Sequence, residues 1–125
     1  MASHKGNPIT ALAAYLARES EDDFLTWLID LARVNGWKAA HFRGGWSRDG
    51  ERFTTPVQAD GEGFPDLVLT RDSVTIYAET KTEKGKLTPE QKDWLEVLAR
   101  NPGNKCFVWR PSDRKEIEEV LKRGK

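Results

Sequence analysis

The sequence predicts a small α/β domain, and three local patterns carry that expectation. Apolar residues recur at helical spacing around Leu28, two β-rich runs flank a short polar turn at Asp72-Ser73, and a capped helix precedes one more β-rich run. Near the start, Asn7-Pro8 reads as an N-cap with proline in the first turn, predicting a short helix over residues 8–18 with Leu12, Tyr15 and Leu16 on one face. Ser20 then stands three residues before Asp23, and Phe24, Leu25, Leu28, Leu31 and Ala32 keep a helical period until Asn35-Gly36-Trp37 breaks it. That predicts an amphipathic helix over residues 21–34.

The run "WKAAHF" (37–42) reads as a strand. Residues 44–63 show neither period and are expected to lack regular structure, either as a substrate-facing flap or as a mobile surface loop. "DLVLT" (66–70) and "TIYAETK" (75–81) are strand-like and joined through Arg71-Asp72-Ser73-Val74, which predicts a hairpin. Thr88-Pro89-Glu90-Gln91 combines a threonine N-cap, a first-turn proline and a capping-box glutamine, so a helix follows to about Arg100. "CFVWR" (106–110) is a last strand, and Ser112-Asp113 opens a closing helix that turns Ile117, Val120 and Leu121 inward. The predicted order is α-α-β-β-β-α-β-α, with residues 1–19 an N-terminal extension and 20–125 one domain.

The 125 residues and 14.2 kDa allow one core, so separate cofactor and substrate modules are not expected. Apolar residues are 38% and charged residues 32%, with a mean hydropathy of -0.68, which excludes collagenous and membrane classes. Lys plus Arg and Asp plus Glu each number 20, so global charge recruits no polyanion and any nucleic-acid contact must be a local patch. A lone cysteine, Cys106, excludes a disulfide framework and a cysteine-rich zinc site and suits a reducing compartment. The apolar run "ITALAAYLA" is far shorter than the roughly 20 residues of a membrane span, so no anchor is expected and the expected address is cytoplasmic.

The chemistry lies in the hairpin. Strand side chains alternate, so Glu79 and Lys81 share a face, and antiparallel pairing brings Asp66 close to Glu79. Two carboxylates with open positions suit Mg²⁺ or Mn²⁺, which can activate a water and offset charge building on a scissile phosphate. Lys81 adds a cation that stabilises an attacking hydroxide or the transition state. An exposed cross-strand salt bridge would account for a bare Glu-x-Lys as well. The conjunction with Asp66 on the preceding strand, and with Lys84, Lys86 and Gln91 just after, favours phosphodiester hydrolysis.

The strings "EDDFLTWLIDLARVNGWKAAHFR", "GFPDLVL", "IYAETKTEKGKLTPEQKDWL" and "FVWRPSD" resemble the VRR-NUC group of the PD-(D/E)XK nuclease superfamily. The resemblance covers residues 20–121, with 44–63 the variable part. It implies a restriction-endonuclease-like core, α-β-β-β-α-β, with a central mixed sheet flanked by helices. It implies Asp66 and Glu79 as metal ligands, Lys81 as the catalytic lysine, and Gln91 as the glutamine near the active site. Glu21 matches the acidic residue of the first core helix that can complete the metal site, with Glu19, Asp22 and Asp23 close by on a helix whose phase decides among them. Leu25 stands where the family often has glutamine. The main-chain carbonyl of Thr80 is a further candidate ligand. Standalone members are similar to phage or mobile-element proteins, which implies a bacterial or phage-infected host. The activity implied is endonucleolytic cleavage of DNA, branched or repair-intermediate, and the limited surface of a 125-residue core suggests a symmetric homodimer with two active sites; the alternative is a flap or nicking nuclease acting as a monomer. A catalytically silent nucleic-acid-binding module is the reading from another class.

Among the remaining residues, Lys84, Lys86 and Lys92 with Arg43, Arg48 and Arg52 read as a phosphate-tracking groove rather than a solvated charged turn. His41 reads as a structural hydrogen-bonder. Trp27, Trp37, Trp94 and Trp109 read as core or interface residues, and Cys106 as a small apolar one at the start of a buried strand. Trp46, in the loop, is the aromatic free to meet a base.

Overall fold

A computed structural model describes residues 22–42, 45–46, 52–53 and 58–124. Residues 22–34 form helix α1. The chain continues through β1 (Lys38–His41), β2 (Gly45–Trp46), β3 (Arg52–Phe53), β4 (Leu67–Arg71), β5 (Val74–Thr80), α2 (Pro89–Ala99) and β6 (Asn104–Trp109). A 3₁₀ turn, Pro111–Asp113, leads into α3 (Arg114–Arg123). The helix expected over residues 8–18 lies outside the described residues. No helix among the described residues is long and apolar enough to cross a membrane.

Four strands make a mixed sheet in the order β1-β4-β5-β6, antiparallel except for β5 with β6. The parallel pair requires a crossover, and α2 supplies it. The β4–β5 hairpin is tight, with Arg71 opposite Val74, and its turn places Asp72 at φ 55, a left-handed conformation that Asp tolerates better than most residues. The stretch 44–63, expected to lack regular structure, holds a two-stranded antiparallel ribbon, with Gly45 opposite Phe53 and Trp46 opposite Arg52. Strands of two residues are too short to show an alternation, so no period marked them.

The sheet's two faces are covered unequally. Leu67, Leu69, Ile76 and Ala78 are each 0% exposed and pack with Phe24, Leu28 and Ala32 of α1 and Ile117, Val120 and Leu121 of α3. Full burial of each such Leu or Ile contributes about 1.5–3 kcal/mol. Trp37 and Trp109 complete this core as expected, and Trp27 packs against its margin. The opposite face carries α2, which has no fully buried residue, and there Phe64 meets Phe42, Tyr77 and Trp94 edge-on. Trp94 donates its indole N–H to the carbonyls of Asp60 and Glu62, which docks the turn before β4 onto α2. Gly63 is required at that dock: its φ is 86, and a Cβ there would lie 2.6 Å from Cβ of Glu90. Cys106 sits third in β6 and is only partly buried, so it does not open a buried strand, and burial raises its thiol pKa.

Arg71 links the C-terminal ends of two helices. Its guanidinium donates to the carbonyls of Asn35, just past α1, and of Leu121 and Lys122 in the last turn of α3, and it stacks over Trp37 at 4.6 Å. A cation at two helix C-termini satisfies carbonyls left without helical partners and complements both dipoles. Trp37 closes the same junction by donating to Leu121 O at 2.9 Å.

Candidate active site

The end of β5 organises the site. Leu67 pairs with Ala78, so the next step of the ladder sets Asp66 across from Glu79. Beyond β5, Lys81 N–H donates to Trp109 O at 3.0 Å and keeps the chain extended by one more residue. Alternation therefore holds through Lys81, and its Nζ lies 3.7 Å from Glu79 Oε2. The face shared by Glu79 and Lys81 is as the sequence predicts.

Helix α2 delivers the next contact. The capping box is complete: Gln91 N–H donates to Thr88 Oγ1, and Gln91 Oε1 accepts from Thr88 N–H at 2.9 Å. The other half of the same amide, Nε2, donates to Glu79 Oε2 at 3.0 Å. One side chain thus starts the helix and holds the carboxylate.

Asp66 is held by a residue whose side chain the sequence did not single out. Thr80 donates its N–H to Asp66 Oδ1 at 3.0 Å and its hydroxyl to Oδ2 at 2.7 Å. His41 Nε2 lies 3.8 Å from Asp66 Oδ2, at ion-pair range. The structure therefore puts His41 on the site's wall, where the sequence favoured a structural hydrogen-bonding role.

Glu79 is 6% exposed and its pKa is raised from 4.5 to about 7. Burial is the largest cause and the facing charge of Asp66 the next, while Lys81 and a main-chain hydrogen bond from Asp66 pull the value partway back. Two facing carboxylates with one lysine nearby leave an uncompensated demand for positive charge. Among the described residues no three His, Cys, Asp or Glu side chains converge on one point. Two carboxylates with a neighbouring main-chain oxygen nonetheless suit a hard divalent cation that keeps several of its waters, so the donors fit Mg²⁺ or Mn²⁺.

A cleft of about 480 Å³ opens over this corner, within the size range of ligand sites. Asp22, Leu25, His41, Asp66, Lys81 and Lys86 are among its lining residues, and Glu79 is not. Asp22 is therefore the described α1 acid that reaches the cleft, with Leu25 one turn on. Glu21, Arg43 and Arg48 lie outside the described residues. Arg52 is placed by its backbone in β3. Lys84 and Lys92 are exposed but do not line the cleft. A second groove, unmarked in the sequence, is lined by Arg33, Lys38 and His41 over Ile29, Trp37 and Ala39, so His41 borders both depressions. The signal for it was the basic pair flanking the Asn35-Gly36 turn, which alone looks like solvated surface.

Neither a curated protein nor a solved structure matches the chain. The VRR-NUC domain does, over residues 26–110, a span that holds β4, β5, α2 and every residue just placed from Asp66 to Gln91. The four-stranded mixed sheet with its helices is an α/β fold consistent with a restriction-endonuclease-like core. The chain belongs to the VRR-NUC family of the PD-(D/E)XK nuclease superfamily.

Proposed function

We propose that the domain is a metal-dependent endonuclease that hydrolyses phosphodiester bonds of DNA, with branched or repair-intermediate structures as substrates. The observation that carries this reading is the buried Glu79 carboxyl, raised to about 7 and facing Asp66 and Lys81, two residues that line an open cleft. Asp66, Glu79 and the Thr80 carbonyl would hold Mg²⁺ or Mn²⁺, with Glu21 as a further candidate ligand. When bound, such an ion activates water and offsets charge on the scissile phosphate.

The protein's own contributions follow from its contacts. Gln91 fixes the Glu79 oxygen it touches, and Thr80 fixes both oxygens of Asp66. Lys81 brings a cation to where negative charge develops, in a partly water-excluded corner where it acts more strongly than in bulk. Lys86 on the cleft and Lys84 beside it track the phosphate backbone, joined by Arg43, Arg48 and Arg52. A homodimer with two active sites matches a substrate with two equivalent strands, and a cytoplasmic setting in a bacterial or phage-infected host supplies the DNA.

The test is a labelled panel of four-way junction, flap, single-strand and duplex DNA with Mg²⁺, Mn²⁺ or EDTA, for wild type, Glu79→Ala and Lys81→Ala. Metal-dependent cutting lost in both variants supports the reading and ranks the substrates. Cutting that persists in EDTA, or binding without any cutting, overturns it.

A further inference from the structure

We propose that Arg110 is a positioning residue for Lys81, acting through the loop Thr82–Lys86; this rests on the nuclease reading above. That loop follows β5 and contributes Thr82, Gly85 and Lys86 to the cleft wall. Its sequence, Thr-Glu-Lys-Gly-Lys, is polar and carries a glycine, a composition that by itself specifies no single conformation. Arg110 supplies the conformation. Its Nη1 donates to Thr82 O at 2.5 Å and Gly85 O at 2.8 Å, with Glu83 O at 3.4 Å, so the loop's carbonyls curl around one guanidinium.

A second tie runs in the same sense, from the junction to a loop side chain. The Glu83 carboxylate accepts from Ser112 N–H at 2.6 Å and from the Ser112 hydroxyl at 2.9 Å. Arg110 is itself anchored, because its backbone N–H donates to Asp113 Oδ2 at 2.9 Å. The junction between β6 and α3 therefore grips the loop at two points, over sequence separations of 25 to 29 residues.

The grip reaches Lys81 through Gly85. A Cβ built on Gly85 would lie 3.4 Å from Lys81 Cδ and 3.1 Å from Thr82 Oγ1, so the lysine's stem lies along a backbone that has no side chain to spare there. Lysine carries a long flexible stem, and holding its ammonium near Glu79 requires that stem to be confined. Gly85 forms one side of the confinement, and Arg110 holds Gly85 in place.

The experiment combines amine labelling with cleavage, on the full chain. In wild type, Lys81 should label slowly with an acylating reagent while exposed Lys84 labels fast. Arg110→Ala should raise the Lys81 rate severalfold and leave Lys105 on β6 unchanged. For cleavage, Arg110→Ala should lower kcat by about tenfold or more with little change in KM, the expected cost of a misplaced catalytic group. Arg110→Lys should recover part of the loss, since an ammonium still donates to the carbonyls.

Unchanged Lys81 labelling in Arg110→Ala overturns the proposal, as does an undiminished kcat in that variant. Labelling that behaves as stated in a protein that cuts no DNA would leave the clamp standing and refute the nuclease reading instead, so the two failures are distinguishable.

Discussion

The pKa of Glu79 makes the protein's stability depend on pH in a direction opposite to that of an ordinary ion-paired carboxylate. The group sits at about 7 in the folded chain against 4.5 when unperturbed. Between those values the folded state binds more protons than the unfolded state, so stability falls as pH rises. The full contribution is present below 4.5 and lost above about 7. At roughly 1.4 kcal/mol per unit, the loss amounts to about 3 kcal/mol. Glu79→Gln isolates it: the amide oxygen still accepts from Gln91 but no longer titrates. Urea unfolding of both proteins in EDTA from pH 4 to pH 8 should show wild type losing about 3 kcal/mol relative to the variant. A divalent ion should reverse the trend by displacing the proton, with an apparent affinity that weakens about tenfold per unit below pH 7. Parallel stability curves for wild type and Glu79→Gln would refute the argument, because they would mean Glu79 ionises as freely in the fold as outside it.

Three further outcomes follow from contacts described above. Gln91→Glu keeps an acceptor for Thr88 N–H but replaces the amide donor to Glu79 with a second carboxylate, so unfolding in urea at pH 8 should show a loss of about 2 kcal/mol that shrinks at pH 5. Arg71→Met removes the donor shared by the carbonyls of Asn35 and Leu121 while keeping much of the stem's volume, and should cost about 3 kcal/mol by the same assay. If flanking DNA runs through the groove beside β1, Arg33→Ala with Lys38→Ala should flatten the dependence of log K on log salt by about 0.9 per lost phosphate contact. Fluorescence titration of DNA in Ca²⁺ at several salt concentrations measures that slope, and an unchanged slope would place the DNA elsewhere.

What the sequence made legible was local. The hairpin was readable because alternation in "LVLT" and "TIYAET" and the polar turn between them lie within one short window. The start of α2 was readable because a capping box needs only Thr88 and Gln91, and Glu79 with Lys81 because two residues apart means one face. What was hidden joins distant segments. The Thr80 hydroxyl on Asp66 spans 14 residues, Arg110 on the Gly85 carbonyl 25, and Arg71 on the Asn35 and Leu121 carbonyls 36 and 50. Each such donor looks like a solvated polar residue until the fold brings its acceptor to it. The β2–β3 ribbon was hidden for a different reason, being shorter than any period.

The same distinction decides between the two accounts that a bare Glu-x-Lys allows. An ornamental cross-strand salt bridge leaves its carboxylate in water, where the lysine lowers or barely moves the acid's pKa and the pair contributes little. Glu79 behaves otherwise, being 6% exposed, with a pKa raised despite Lys81 at 3.7 Å. Burying that carboxylate opposite Asp66 weakens the fold at neutral pH, and Gln91 and Thr80 are spent holding the two acids in place. An arrangement that costs stability and orients its anions is a poor way to brace a sheet and a suitable way to receive a cation. The burial of Glu79, which no reading of three residues in a row can supply, is therefore the observation that favours a cation site over an ornamental pair.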